Sequence, residues 1–221
     1  MFEMFIKLNS NHITAATNMV AESFMDNPLL TYVFPDLKVR KKVLPLVYQI
    51  IIELVSALGE VYVTSKNIEG IFLVRRVGKN KLKLSHYKAI LMAGIKFTRL
   101  IKHIPFVNTI KRALKIRNLS SAMNYYSKIY SKYIVLEMIA VDKKYREQKY
   151  MSKMMRALIE EVDRNGTFCL LETETETNTQ IYQHFGFKLL KKVDIIEGQL
   201  SFYILAYDPH GLIQDKDKLP A

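Results

Sequence analysis

Between Val141 and Met155 the chain reads VDKKYREQKYMSKMM: a strand end, a polar turn and a helix start. This layout suits a phosphate-cradling loop, because backbone N–H groups at a helix N-terminus point at an anion and the helix dipole favours negative charge. The turn contains no glycine, the residue that lets a backbone approach phosphate closely and take positive φ at low cost. A loop held in ordinary right-handed geometry still presents its N–H groups, and Arg146, Lys149 and Lys153 can compensate electrostatically. Two carboxylates stand near it in sequence. Glu137 interrupts the apolar run YIVLEMIAV and Glu172 ends TFCLLE, so each either accepts a proton, directly or through water, or is a paired strand-end carboxylate. Cys169 lies in that second apolar run with no cation or histidine beside it, which assigns it to the core. His12, His86, His103, His184 and His210 lack metal-ligand spacing, and one cysteine cannot build a zinc cluster, so no metal site is expected. There is no Gly-x-x-x-x-Gly-Lys loop for nucleoside triphosphates.

The elements that must position these residues follow from periodicity. Residues 3–8 alternate as a short strand, and Ser10 or Asn11 caps a helix with Ile13, Ala16, Val20 and Phe24 on one face. The Asp26-Asn27-Pro28 cluster ends it, since the residue before proline avoids helical geometry. A helix over 39–58 carries Val43, Leu46, Val47, Ile50, Leu54 and Leu58, with Gly59 as its C-terminal cap. Strands over 60–64 and 70–76 form a hairpin. Residues 85–130 are helical in pattern, basic and broken at Pro105, and read as two or three helices inserted between strands. Then come a buried strand over 133–141, a helix over 150–163, a strand over 167–173, a short helix over 178–184 ended by Gly186, and two strands pairing across Glu197-Gly198. The fold class is α/β, a mixed sheet flanked by helices, in one domain spanning 1–221 with a helical insertion at about 85–130.

In order and local wording these segments resemble the GNAT (Gcn5-related N-acetyltransferase) superfamily. The resemblance rests on LEMIAVDKKYREQKYMSKMM, on LLETETETNTQIYQHFGF with its asparagine, tyrosine four residues on and closing Gly-Phe, and on ESFMDNPLLTYVFPD. The last is similar to a segment of a bacterial and fungal branch that includes antibiotic-acetylating members. The resemblance implies the GNAT fold and an N-acetyltransferase that moves acetyl from acetyl-CoA, its cosubstrate, to an amine of a small-molecule acceptor, directly and within a ternary complex. It places backbone groups of Met138, Ile139 and Val141 along the pantetheine arm and the thioester carbonyl. It places Arg146, Glu147, Gln148, Lys149, Tyr150, Met151 and Ser152 around the pyrophosphate, with Lys149 and Met151 standing where the family has glycines. Tyr182 corresponds to the tyrosine that protonates the departing thiolate; without the resemblance it reads as a packed aromatic. Asn178 caps the short helix or touches pantetheine. Either Glu137 or Glu172 serves as general base.

Composition bounds the partners. The 221 residues are 49% hydrophobic and 24% charged, an ordinary folded balance, with a net charge of +12 that calls for an anionic ligand or surface. One cysteine and the absence of a secretory pattern at the N-terminus lead to an expected cytoplasmic location, and no apolar run is long enough to span a membrane. The contrasting reading is a non-catalytic GNAT-fold module with a degenerate CoA loop. In that reading, basic residues such as Lys96, Arg99, Lys102, Lys111, Arg112, Lys115 and Arg117 would contact nucleic acid or a membrane surface; the bland alternatives are a solvated face or a lid over the acceptor. A homodimer is compatible with either.

Overall fold

The computed structural model describes residues 2–78, 84–116, 120–196 and 198–214. Its strands are β1 (Ile6–Lys7), β2 (Glu60–Val63), β3 (Gly70–Val77), β4 (Tyr133–Val141), β5 (Cys169–Thr173), β6 (Lys188–Ile196) and β7 (Leu200–Tyr207). They form one sheet in the order β1-β2-β3-β4-β5-β7-β6, in which only β4 and β5 run parallel. Parallel neighbours need a crossover, supplied here by helix α7 (Tyr150–Arg164). The other helices are α1 (Ile13–Ser23), α2 (Pro28–Val33), α3 (Leu37–Leu58), α4 (Leu84–Ile101), α5 (Phe106–Lys115), α6 (Ser120–Ile129) and α8 (Glu176–His184).

Both faces of the sheet are covered. On β3, Ile71 and Leu73 meet Ala16 and Val20 of α1 and Val43, Leu44 and Ile52 of α3, while Phe72 and Val74 join Met154, Met155, Leu158 and Val162 of α7. A third cluster, Tyr126 of α6 with Tyr133, Val135, Phe168, Leu170 and Ile204, extends the first face. Full burial of one such side chain contributes about 1.5–3 kcal/mol, so this two-sided packing, rather than helix or strand propensity, holds the sheet.

β4 carries one irregularity. Leu73 of β3 faces Met138 and Val74 faces Leu136, so Glu137 is an extra residue in the ladder, a β-bulge. Its effect is visible in the core: Ile134 and Leu136 belong to the α7 side and Tyr133 and Val135 to the other, but beyond the bulge Met138 and Ala140 have joined the α1–α3 side and Ile139 and Val141 the α7 side.

Several expectations need correction. The strand expected over 3–8 is only Ile6–Lys7. Pro28 does more than end α1: Asn27 accepts a hydrogen bond from Leu30 N (3.2 Å) with Pro28 in the first turn, so the same cluster starts the unexpected α2. The 39–58 helix begins two residues earlier because Asp36 accepts from Lys38 N and Val39 N. The inserted segment needs no correction: it holds three helices, α4, α5 and α6, where two or three were expected. Glu197 and Arg117 lie outside the described residues.

Candidate active site

β4 and β5 pair only from Ile134–Cys169 to Leu136–Leu171, although β4 continues to Val141 and β5 to Thr173. The two strands part at the bulge. In the opening lie two adjoining cavities that share Phe24, Asn27, Ile139, Asn178 and Tyr182 in their walls. A third cavity, at the start of α7, shares Val141, Arg146 and Met151 with the larger of the two.

The α7 end is built by backbone. After Asp142, which accepts from Lys144 N at 2.9 Å, a single 3-10 turn over Lys143–Tyr145 leads into the loop. The loop does not keep the right-handed geometry expected for a glycine-free sequence: Glu147 has φ +65° and Lys149 φ +63°. Left-handed geometry at a residue with a Cβ costs about 1–2 kcal/mol, so the sequence keeps the glycine-like conformation without glycine. Lys149 gives no side-chain cap to α7, and the first turn's N–H groups, from Tyr150 to Ser152, have no acceptor within the helix. They border a cavity of about 280 Å³ lined by Tyr145, Arg146, Glu147, Lys149, Tyr150, Met151 and Ser152. Lys153 lies over the Tyr150 ring at 5.1 Å, and the Gln148 amide donates to Lys144 O at 3.3 Å, so these two side chains brace the loop. Met151, the residue at the second glycine place, is helical, packs against the α7-side core and also lines both the groove and the cavity at the start of α7. Anionic phosphates fit this end: cationic Arg146 and Lys143 line the roughly 620 Å³ groove that leads away from it.

The opposite end is built by side chains. A cavity of about 280 Å³ is walled by Leu29, Leu30, Val47, Tyr48 and Ile51 from the helices and by Glu137, Glu172 and Glu174 from the strands. Three carboxylates share this cavity, one more than the two that the sequence singles out; the third, Glu174, was missed because it sits past the end of β5 in the run ETETE. Burial pushes the Glu172 carboxyl up to about 7, with the charges of Glu137 and Glu174 adding to it. Burial also raises Glu174, against which Asn27 works by donating its amide to Glu174 Oε2 at 3.1 Å. Glu137 is different: Arg75 Nε donates to its Oε1 at 2.6 Å, and both side chains are partly exposed. The paired-carboxylate alternative therefore describes Glu137, while Glu172 has no such ion pair among the described residues.

Tyr182 lines both the groove and the acidic cavity and is buried against Phe187, its ring 6.0 Å away. Burial, then the nearby Glu174 charge, holds its phenol protonated well above the ordinary tyrosine range. Asn178 does not cap α8. Thr175 does, accepting from Asn178 N at 3.1 Å, and the Asn178 amide instead donates to Thr173 Oγ1 at 3.1 Å, tying α8 to the end of β5 beside the cavity. Met138 lines the acidic cavity, Val141 the groove and Ile139 both. Cys169 is fully buried in the core, and burial pushes its thiol up to about 12, which leaves it no nucleophilic role. No metal-binding group of histidine, cysteine and carboxylates occurs among the described residues, and no helix there is long and apolar enough to cross a membrane.

Comparison with known proteins agrees with this geometry. Residues 120–189 match the family model of the acetyltransferase (GNAT) domain. Comparison with curated proteins gives no match. Among solved structures, the histone acetyltransferase HPA2 and related acetyltransferase from Corynebacterium glutamicum is similar with a TM-score of 0.60 at 14% identity, over 93% of this chain and 96% of that one. Arylalkylamine N-acetyltransferase 2 from Aedes aegypti gives 0.58 at 13% identity, over 92% and 97%. An N-acetyltransferase from Staphylococcus aureus Mu50 gives 0.54 at 12% identity, over 92% and 100%. At these identities the likeness is one of fold. With the domain match it identifies a GNAT-fold protein whose residues 120–189 correspond to the GNAT acetyltransferase domain.

Proposed function

We propose that the protein transfers an acetyl group from acetyl-CoA to the amine of a small cationic acceptor by direct attack. The observation that carries this reading is the continuity of the site: a cationic, backbone-lined pocket at α7, a groove along the freed part of β4, and an acidic cavity that meets the groove at Tyr182, Asn178 and Ile139. The N–H groups of Tyr150, Met151 and Ser152, with Arg146, would hold the pyrophosphate. Backbone groups of Met138, Ile139 and Val141 would accompany pantetheine and face the thioester carbonyl, where aligned donors stabilise developing negative charge.

An amine enters such a cavity as an ammonium ion, attracted by its carboxylates, and must lose a proton before its nitrogen can attack. Glu172 takes that proton. Its raised pKa of about 7 makes it a better base than an ordinary carboxylate while leaving much of it ionised near neutral pH. As the new C–N bond forms and the C–S bond breaks, the nitrogen sheds a second proton to solvent and becomes the neutral amide, and Tyr182 gives its phenolic proton to the departing sulfur. Exchange with solvent then reprotonates Tyr182 and deprotonates Glu172, with one proton released overall. Glu137, held by Arg75, and Glu174, held by Asn27, supply negative charge toward the acceptor.

The test is acetyl-CoA-dependent thiol release with a panel of monoamines, diamines and neutral alcohols, alongside titration of CoA by calorimetry. Turnover with amines, strongest for acceptors carrying a second positive charge, is expected. Absence of CoA binding by the native protein would replace this reading with that of a non-catalytic module.

A further inference from the structure

Helices α4 and α5 break the usual relation between polarity and exposure. α4 has its less exposed side at positions 86, 89, 93, 96 and 100, with Leu100 buried and Lys96 donating to Glu53 of α3 at 2.6 Å. The opposite side of a surface helix is normally polar. Here it carries Leu84, Tyr87, Leu91 and Ile95, all exposed, Leu91 by 64%. α5 is turned further still. It buries Thr109 and leaves its apolar stripe of Val107, Ile110 and Leu114, spaced i, i+3 and i+7, in solvent, Val107 at 64% and Leu114 at 55%. Most of the large apolar side chains exposed among the described residues lie on these two helices.

Charge narrows what can cover this surface. From Gly70 to Leu136 the sequence contains no aspartate or glutamate, while Arg99, Lys102, Lys111 and Lys115 are exposed beside the stripes. An isologous contact with a second copy would set this cationic surface against itself. A nucleic acid would satisfy the lysines but not exposed leucine, isoleucine and valine. An anionic bilayer satisfies both: aliphatic groups enter the boundary between headgroups and acyl chains, and lysine stems reach back to lipid phosphates.

We propose that α4 and α5 form a docking surface for anionic lipid membranes. The docking is peripheral, since neither helix is long and apolar enough to cross. It does not depend on the catalytic reading above, because neither stripe contributes to the cavities around Tyr182.

The test is flotation of the full chain with vesicles of phosphatidylcholine alone or mixed with phosphatidylglycerol, using the native protein, a Val107→Ser/Leu114→Ser variant and a Lys111→Gln/Lys115→Gln variant. Thermal unfolding of each confirms that these surface changes leave the fold intact. Binding to the mixed vesicles only, weakened at least about tenfold by either variant, is the expected result. Three results would overturn the proposal: no vesicle binding, vesicle binding indifferent to the serine changes, or no preference for vesicles over a short DNA duplex. A concentration-dependent dimer that the serine variant dissolves, without vesicle binding, would assign the surface to a second copy instead.

Discussion

The two ends of the groove are made in different ways. At the α7 end, the groups that can meet an anion are mainly main-chain N–H donors, and side chains matter through the conformation they permit. At the opposite end the backbone only sets positions, and the side chains of three glutamates and two tyrosines line the cavity. A backbone site tolerates sequence change as long as its dihedral angles survive, as Glu147 and Lys149 show by taking left-handed φ despite their side chains. A side-chain site tolerates almost none, but its residues can be exchanged to suit a new acceptor. Mutations should therefore act steeply at one end and gently at the other.

The steepest effect is expected at Glu172. Glu172→Gln should lower kcat by about 10³- to 10⁴-fold with little change in CoA affinity. In the native protein, kcat should rise with pH through an apparent pKa near 7, the value to which burial and its neighbours push Glu172, and the variant should lose that limb. A surviving limb would move the base role to another group.

Next comes Tyr182→Phe, expected to cost about 10²-fold in kcat while CoA binding stays the same. The two rings have nearly the same shape, so the packing against Phe187 is retained. Unchanged kcat in single-turnover measurements would make Tyr182 a wall of the cavity and no more.

Stability should also separate the ends. Glu172 has a folded pKa raised above its ordinary 4.5, so the folded state holds this proton more tightly than the unfolded chain does. Its contribution to stability is then fully present below about 4.5 and is lost as pH rises through about 7. Denaturant unfolding between these limits should show that decline in the native protein and a shallower one in Glu172→Gln.

The smallest effect belongs to the loop. Lys149→Gly should raise unfolding free energy by about 0.5–1 kcal/mol by relieving a left-handed residue, partly offset by the freer unfolded chain. Lys149→Ala keeps the strain and removes the charge, so calorimetry on both separates geometry from electrostatics in CoA binding. If glycine weakens CoA as much as alanine does, the lysine charge is what the loop relies on. Met151→Gly, in contrast, should destabilise, since it deletes core contacts and a favourable helical residue.

Much of this was legible in the sequence, for identifiable reasons. The strand over 133–141 and the helix after it announce themselves because their apolar patterns are long, and NTQIYQHFGF placed Tyr182 beside the groove. Three things were not legible. The left-handed turns at Glu147 and Lys149 come from the surrounding fold imposing angles that the residues themselves disfavour. The grouping of Glu174 with Glu137 and Glu172 depends on where β4 and β5 separate, which is a matter of register. And α2 was hidden because Asn27-Pro28 is both an end and a beginning.

The bulge at Glu137 amounts to a frameshift written in side chains rather than codons. Below it, β4 is zipped to β5 and reads its residues to the two cores in one phase; above it, the same strand reads in the opposite phase, facing the groove. The strand is in effect two modules spliced at one residue. Both modules feed the cores, and the upper one also walls the groove, so a substitution above the bulge acts on packing and on the site at once.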